Sequence, residues 1–160
     1  MRRSSLVLVF ASLTCAAPAL AAQPDLVAAR KTIDATIERS APELLSLYRD
    51  LHTHPELSLQ ESRTAARLAQ EMRKLGLTVT EKVGGTGLVA VLRNGEGPTV
   101  LIRADMDALP MRELSDAPFA SKDEVPYRDG KTFVAHSCGH DVHMAWWIGA
   151  AKALLAVRGQ

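Results

Sequence analysis

Apolar residues recur at helical spacing from the start of the globular part of the chain. Leu26, Ala29, Ile33 and Ile37 predict a helix from Asp25 to about Arg39. Ser40-Ala41-Pro42-Glu43 then reads as a capping box with proline in the first turn, so a separate helix carrying Leu44, Leu45, Leu47, Tyr48 and Leu51 is expected to end near Pro55. A second box, Ser58-Leu59-Gln60-Glu61, opens a helix whose inner face is Ala65, Leu68, Met72 and Leu75, with Gly76 as its stop. The period then falls to two. Leu77 to Val83 alternates like an edge strand, and Leu88–Leu92 and Thr99–Ile102 are continuous apolar runs around Arg93–Pro98, which predicts a hairpin of buried strands. Gly84–Gly87 is a turn between strands, without the lysine or following helix of a phosphate loop. The charged, proline-bearing stretch Arg112–Lys131 is expected to be a loop over a site. Val142 to Val157 is apolar on nearly every face and predicts a buried helix. The second strand of that hairpin, Thr99–Ile102, runs into Asp105 and Asp107, and the carboxyl end of a buried strand is where open α/β sheets place their ligands.

The first residues follow a different rule. Arg2 and Arg3 precede the apolar run Leu6–Leu13 and the small residues Ala16–Ala22, the order of a secretory signal peptide cleaved after about residue 21. The mature chain, 22–160, is then expected to be periplasmic or secreted, and the apolar run is too short to remain as a membrane span. With Arg2 and Arg3 removed, 17 basic residues stand against 18 acidic ones, so the formal charge passes from +1 to −1. No basic excess recommends nucleic acid or an anionic membrane as partner, which leaves small molecules. Loss of Cys15 also leaves Cys138 as the sole cysteine, so no internal disulfide can form.

That cysteine lies in the chemically densest stretch, His136-Ser137-Cys138-Gly139-His140-Asp141-Val142-His143. Cys138 and His140, separated by a glycine, can turn thiolate and imidazole toward one metal ion, with zinc the best match to sulfur. Asp141 and His143 are candidates for further ligands or for acceptors that orient an imidazole, and His143 equally suits a hydrogen-bonded core histidine. Asp105 and Asp107, two apart on an extended segment, point to one side; either can hold a metal-bound imidazole or cap the following turn. His52 and His54 close a helix, where histidines serve either as ligands or as favourable charges at the C-terminus.

Three stretches together, Leu51-His52-Thr53-His54-Pro55-Glu56-Leu57-Ser58 with Glu61, Arg103-Ala104-Asp105-Met106-Asp107-Ala108-Leu109-Pro110, and His136 to His143, resemble the amidohydrolase branch of the dinuclear-metal aminoacylase and carboxypeptidase superfamily, which includes hippurate hydrolases and auxin-conjugate hydrolases. The resemblance implies a three-layer, mixed-sheet, zinc-peptidase-like α/β catalytic domain into which a smaller α+β lid or dimerisation domain is inserted. It implies Cys138 and His140 as metal ligands and Asp107 as the acid supporting the metal centre. Asp105, Asp141, His143, His136 and His54 become candidates for supporting or substrate-binding roles. It also implies two divalent ions (zinc, manganese or cobalt), an N-acyl amino acid or small peptide as substrate, and a homodimeric intact enzyme. In the family the general-base glutamate, its neighbouring glutamate ligand and two further metal-binding histidines follow the point where this sequence stops. The expectation is therefore the amino-terminal part of an enzyme, inactive as it stands. A non-catalytic metal-binding or degenerate family member is the alternative, and a thiol enzyme using Cys138 with a histidine base is a third.

Overall fold

The computed structural model describes residues 25–159, so the signal-peptide segment and Cys15 lie outside the described residues. Three helices and two β-hairpins follow in the order α1 (Leu26–Thr53), α2 (Ser62–Lys74), β1 (Thr78–Val83), β2 (Gly87–Val91), β3 (Glu124–Tyr127), β4 (Gly130–Phe133) and α3 (His140–Ala156).

Helix α1 corrects the first expectation, because the helices anticipated on either side of Ser40 are one, with Pro42 inside it. An interior proline forfeits a backbone hydrogen bond and crowds the carbonyl four residues back. Tertiary packing holds the helix together across that point. Gly149 of α3 brings the two backbones so close that a Cβ there would stand 3.2 Å from Leu44 Cδ1 and 3.7 Å from Ile37 Cδ1. Those two leucine and isoleucine tips lie on opposite sides of Pro42, so α3 splints it. At its start α1 is capped by Asp25, whose carboxylate accepts from the amides of Val27 and Ala28, both at 3.0 Å.

Helix α2 has the inner face foreseen, with Ala65, Leu68 and Met72 buried, and it stops at Gly76 in the left-handed region, φ 82°. Its cap is not the Ser58 box. Glu56 reaches over from the preceding turn and accepts from the amides of Arg63 (3.0 Å) and Thr64 (2.7 Å), while Glu61 accepts a hydrogen bond from the Thr86 hydroxyl. A carboxylate on the free amides of a helix start also faces the positive end of its dipole.

The strand pairing differs from the sequence expectation. β2 pairs antiparallel with β1 across the Gly84–Thr86 turn, from Thr78↔Val91 to Val83↔Gly87, and Thr99–Ile102 is not a strand. A tight glycine turn makes the nearer partner the cheaper one to find. Val100 and Leu101 are 80% and 86% exposed, so this run is not buried either. Arg158 ties down the turn before it, donating to the Arg93 carbonyl and to Asn94 Oδ1. The Arg112–Lys131 stretch holds more order than a loop, since β3 and β4 pair from Glu124↔Phe133 to Tyr127↔Gly130.

One core joins Leu47 and Leu51 of α1, Leu68 and Met72 of α2, and Met144, Ile148 and Ala151 of α3, with Val79, Leu88 and Ala90 of the first hairpin against it. A smaller one gathers Leu57, Ala108 and Val134 beneath Val125 and Tyr127 of the second hairpin. Between them the chain crosses in mixed senses: Leu57 bridges Ala108 in parallel and Leu109 bridges Ala135 antiparallel. The α/β class holds. Among the described residues the strands form two separate two-stranded sheets, β1–β2 and β3–β4, and the two bridges lie outside them. α3 is not buried on every face either, because Trp146 and Leu154 are exposed.

Candidate metal centre

The mixed bridges decide what meets at the head of α3. Ala108 donates to the Glu56 carbonyl (2.8 Å), and Leu109 and Ala135 exchange hydrogen bonds at 3.0 and 3.1 Å. Asp107 is thereby held beside the segment leading from His136 into the helix. Gly139 is the pivot of that segment. It adopts φ 75°, ψ 22° at the N-cap, a left-handed conformation open to glycine at little cost. The chain therefore turns sharply between Cys138, which is exposed, and His140, the first residue of α3.

His140 is oriented from behind. Its Nδ1–H donates to the Asp107 backbone carbonyl at 2.7 Å, and the Asp107 carboxylate lies 3.2 Å from the same nitrogen. A ring that spends its Nδ1 proton this way presents Nε2 as a lone-pair donor, the tautomer a metal ligand needs. His143, one turn along, stacks on it with ring centroids 6.0 Å apart and in turn meets Trp146 at 5.6 Å. Asp105 is engaged elsewhere, in an ion pair with Arg103. His54 is not brought to this place. It closes α1, half exposed, with Nδ1 donating to the Asp50 carbonyl at 2.8 Å, in keeping with a role at the helix terminus.

His136 is 6% exposed, and neither of its ring nitrogens has a hydrogen-bond partner. Burial, with His52 and His140 acting in the same direction, outweighs the opposing carboxylates of Asp141 and Asp107 and holds its pKa below the usual histidine value. An unmet buried imidazole carries a cost that a ligand or water would relieve.

Asp141, expected as a ligand or as an acceptor that orients an imidazole, and Glu113, which no motif singled out, complete the environment. Asp141, 1% exposed, accepts from His52 Nδ1 at 2.6 Å, and Glu113 accepts from His52 Nε2 at 2.9 Å. Burial alone would lower the His52 pKa, but the hydrogen bonds to Glu113 and Asp141 outweigh it and the net shift is upward. For Glu113 the balance runs the other way: burial favours the neutral acid, and the bonds from Ser115, His52 and the Ser121 amide bring its pKa below the usual value. Of the two histidines closing α1, the resemblance puts forward His54 and leaves out His52, the member of the pair that the structure brings to Asp141 and Glu113. Glu113 carried no signal beyond being one acid in a charged loop.

The donor set fits a divalent ion in kind, a thiol and an oriented imidazole on one turn with an unpaired buried imidazole behind them. It is short in number, since among the described residues no three His, Cys, Asp or Glu side chains converge closely enough to hold a metal.

Residues 101–160, which contain this turn, match the family model described as peptidase family M20/M25/M40. The chain belongs to the M20 family. This M20 sequence is 43% identical over 114 residues to thermostable carboxypeptidase 2 of Saccharolobus solfataricus, covering 70% of the chain and 27% of that protein. It is 39% identical over 121 residues to the hippurate hydrolase of Campylobacter jejuni, covering 71% and 30%. Among solved structures it resembles the Bacillus subtilis protein YXEP, described as a dinuclear metal binding peptidase from the M20 family, with TM-score 0.64 and 36% identity over 79% of this chain and 33% of that one. The chain thus spans about a third or less of the length of the relatives it matches.

Proposed function

We propose that the chain supplies part of a dinuclear-metal amidohydrolase centre that, in the whole protein, hydrolyses the amide bond of N-acyl amino acids or small peptides. The observation that carries this reading is the His140 ring, fixed through Nδ1 by Asp107 and placed two residues from an exposed thiol. M20 membership supports metal-assisted hydrolysis as the reaction class, and the names of relatives such as hippurate hydrolase support an N-acyl amino acid. YXEP, described as binding two metals, supports a pair of ions here.

Cys138 and His140 would hold metal, and zinc, manganese and cobalt all suit an intact centre, with zinc and cobalt the better matches to the thiolate. A bound divalent ion supplies Lewis acidity toward the acyl carbonyl and lowers the pKa of water. The chain's own contribution is positioning. Asp107 keeps the His140 ring in one tautomer and orientation, Gly139 permits the turn that sets Cys138 beside it, and His136 offers an unspent donor or acceptor behind them. Among the described residues the donor set is short of a dinuclear centre, so this chain by itself is expected to bind metal without turnover. The shortage of converging donors also favours the alternative, a metal-binding protein without catalysis. The basic, apolar and small-residue order of the first 22 residues supports export to the periplasm or outside the cell. A homodimer of the intact enzyme is part of the same proposal.

Titration of the chain with Co²⁺ tests the core of this reading. A thiolate-to-cobalt absorption band is expected, lost in Cys138→Ser and weakened in His140→Ala. Absence of the band in the unaltered chain would sink the metal assignment. Hydrolysis of benzoylglycine by the whole metal-loaded protein separates the enzyme from the binding protein, which would retain metal and leave the substrate intact.

A further inference from the structure

His52 sits between two carboxylates that come from different parts of the fold. Its Nδ1 donates to Asp141 on the first turn of α3, at 2.6 Å, and its Nε2 to Glu113 in the segment after the Asp107 stretch, at 2.9 Å. All three side chains are nearly withdrawn from water, at 13%, 2% and 10% exposure. The ring is also fixed in plane: Tyr48 lies 5.6 Å from it on α1, and Phe119 meets it edge-on at 5.3 Å. Phe119 is itself fastened to α1, because its carbonyl accepts from the Thr53 hydroxyl at 3.0 Å. Each jaw leads somewhere useful. Asp141 adjoins His140 and accepts from the Val142 amide at 2.9 Å, so its position sets the first turn of α3. Glu113 accepts from the Ser121 amide at 2.6 Å and closes the 113–121 segment into a loop.

We propose that His52 is a positioning residue, a two-jawed clamp that joins the end of α1 to the head of α3 through Asp141 and to the 113–121 loop through Glu113, and so holds the turn bearing Cys138 and His140. Two charge-assisted bonds to buried carboxylates make the clamp strong, and its opening takes the cationic partner from both buried acids, leaving Asp141 with the Val142 amide and Glu113 with Ser115 and the Ser121 amide. The imidazole touches neither Cys138 nor His140, so it acts through Asp141 rather than on a ligand itself. The link to metal affinity rests on the function proposed above; the clamp itself does not.

The experiment compares the full chain with His52→Gln, which can serve one jaw but not both. Amide hydrogen exchange is expected to accelerate about tenfold or more in residues 113–121 and 136–143, with α2 and the β1–β2 hairpin unchanged. Co²⁺ affinity, read on the thiolate band, is expected to fall roughly ten- to a hundredfold, the usual effect of losing support behind a ligand. Lys152→Met cuts the α1–α3 ion pair with Glu43 away from the site and is expected to move neither readout, which separates positioning from general loosening. Should His52→Gln fail to fold, Glu113→Ala opens one jaw alone, and loosening confined to 113–121 is the expected result. Unchanged protection of both segments in a folded variant, or equal losses in Lys152→Met, overturns the clamp. If the unaltered chain binds no Co²⁺ while exchange still accelerates on His52→Gln, the clamp stands and the metal reading falls.

Discussion

At the scale of single residues, His52 and Glu113 give the chain a pH window. The His52 pKa is raised from the usual histidine value of 6.5, so its contribution to stability is complete below that value and is lost as pH rises through the higher folded pKa. The Glu113 pKa is lowered from 4.5, so its contribution is complete above that value and is lost as pH falls through the lower folded pKa. The pair therefore stabilises the fold most between these two reference values. Urea midpoints measured across pH should show a plateau there that flattens in His52→Phe; a plateau that survives the substitution would assign it to other groups. Those near the ring are Tyr48 from α1, Asp141 from α3, and His136 from the segment before it. The motifs made Cys138, His140 and Asp107 legible, because thiol, imidazole and carboxylate at such spacings are rare by chance. His52 was legible only as half of a pair. What distinguishes it from His54 is two partners 61 and 89 residues away, which no local pattern encodes.

At the scale of elements, sequence and structure agree where local signals act alone and diverge where packing overrides them. Gly76 ends α2 and Gly84-Gly85 turns β1 into β2 because only a residue without Cβ enters those left-handed conformations cheaply. Pro42 is the opposite case: the proline signals a helix start, yet α3 packs on Leu44 and Ile37 across it. Pro42→Ala should then restore a hydrogen bond without changing the fold and stabilise it by about 1–3 kcal/mol in denaturant unfolding. A loss of stability would show that the helix is bent around the proline to the benefit of the packing. Gly149→Leu, by contrast, places a side chain where the α1–α3 interface has no room. It should cost about 1–3 kcal/mol or more in the same measurement, and an unaffected midpoint would contradict the close approach.

At the scale of the whole molecule, the described residues leave an apolar run uncovered. The continuous apolar pattern of Thr99–Ile102 predicts a buried strand, but a pattern cannot say which partner covers it, and in the structure this run is neither a strand nor buried at Val100 and Leu101. Val100 and Leu101 are exposed on the described structure, and β2 takes its hydrogen bonds from β1. Exposed apolar runs with free backbone groups promote association. Sedimentation of the chain at increasing concentration should show self-association, reduced in Leu101→Lys; equal behaviour of both forms would place the contact elsewhere. No described helix is long and apolar enough to cross a membrane.

The placement of the two tryptophans has an optical consequence. Trp147 donates its indole N–H to the Ile102 carbonyl at 3.1 Å and packs against the core, whereas Trp146 is 66% exposed and rests against His143. Their emission should separate into a blue, quencher-resistant component from Trp147 and a red component from Trp146 that soluble quenchers reach. Because the red component stands at the end of the His140–His143–Trp146 stack, its intensity becomes a built-in gauge of what happens at His140, read without any added label.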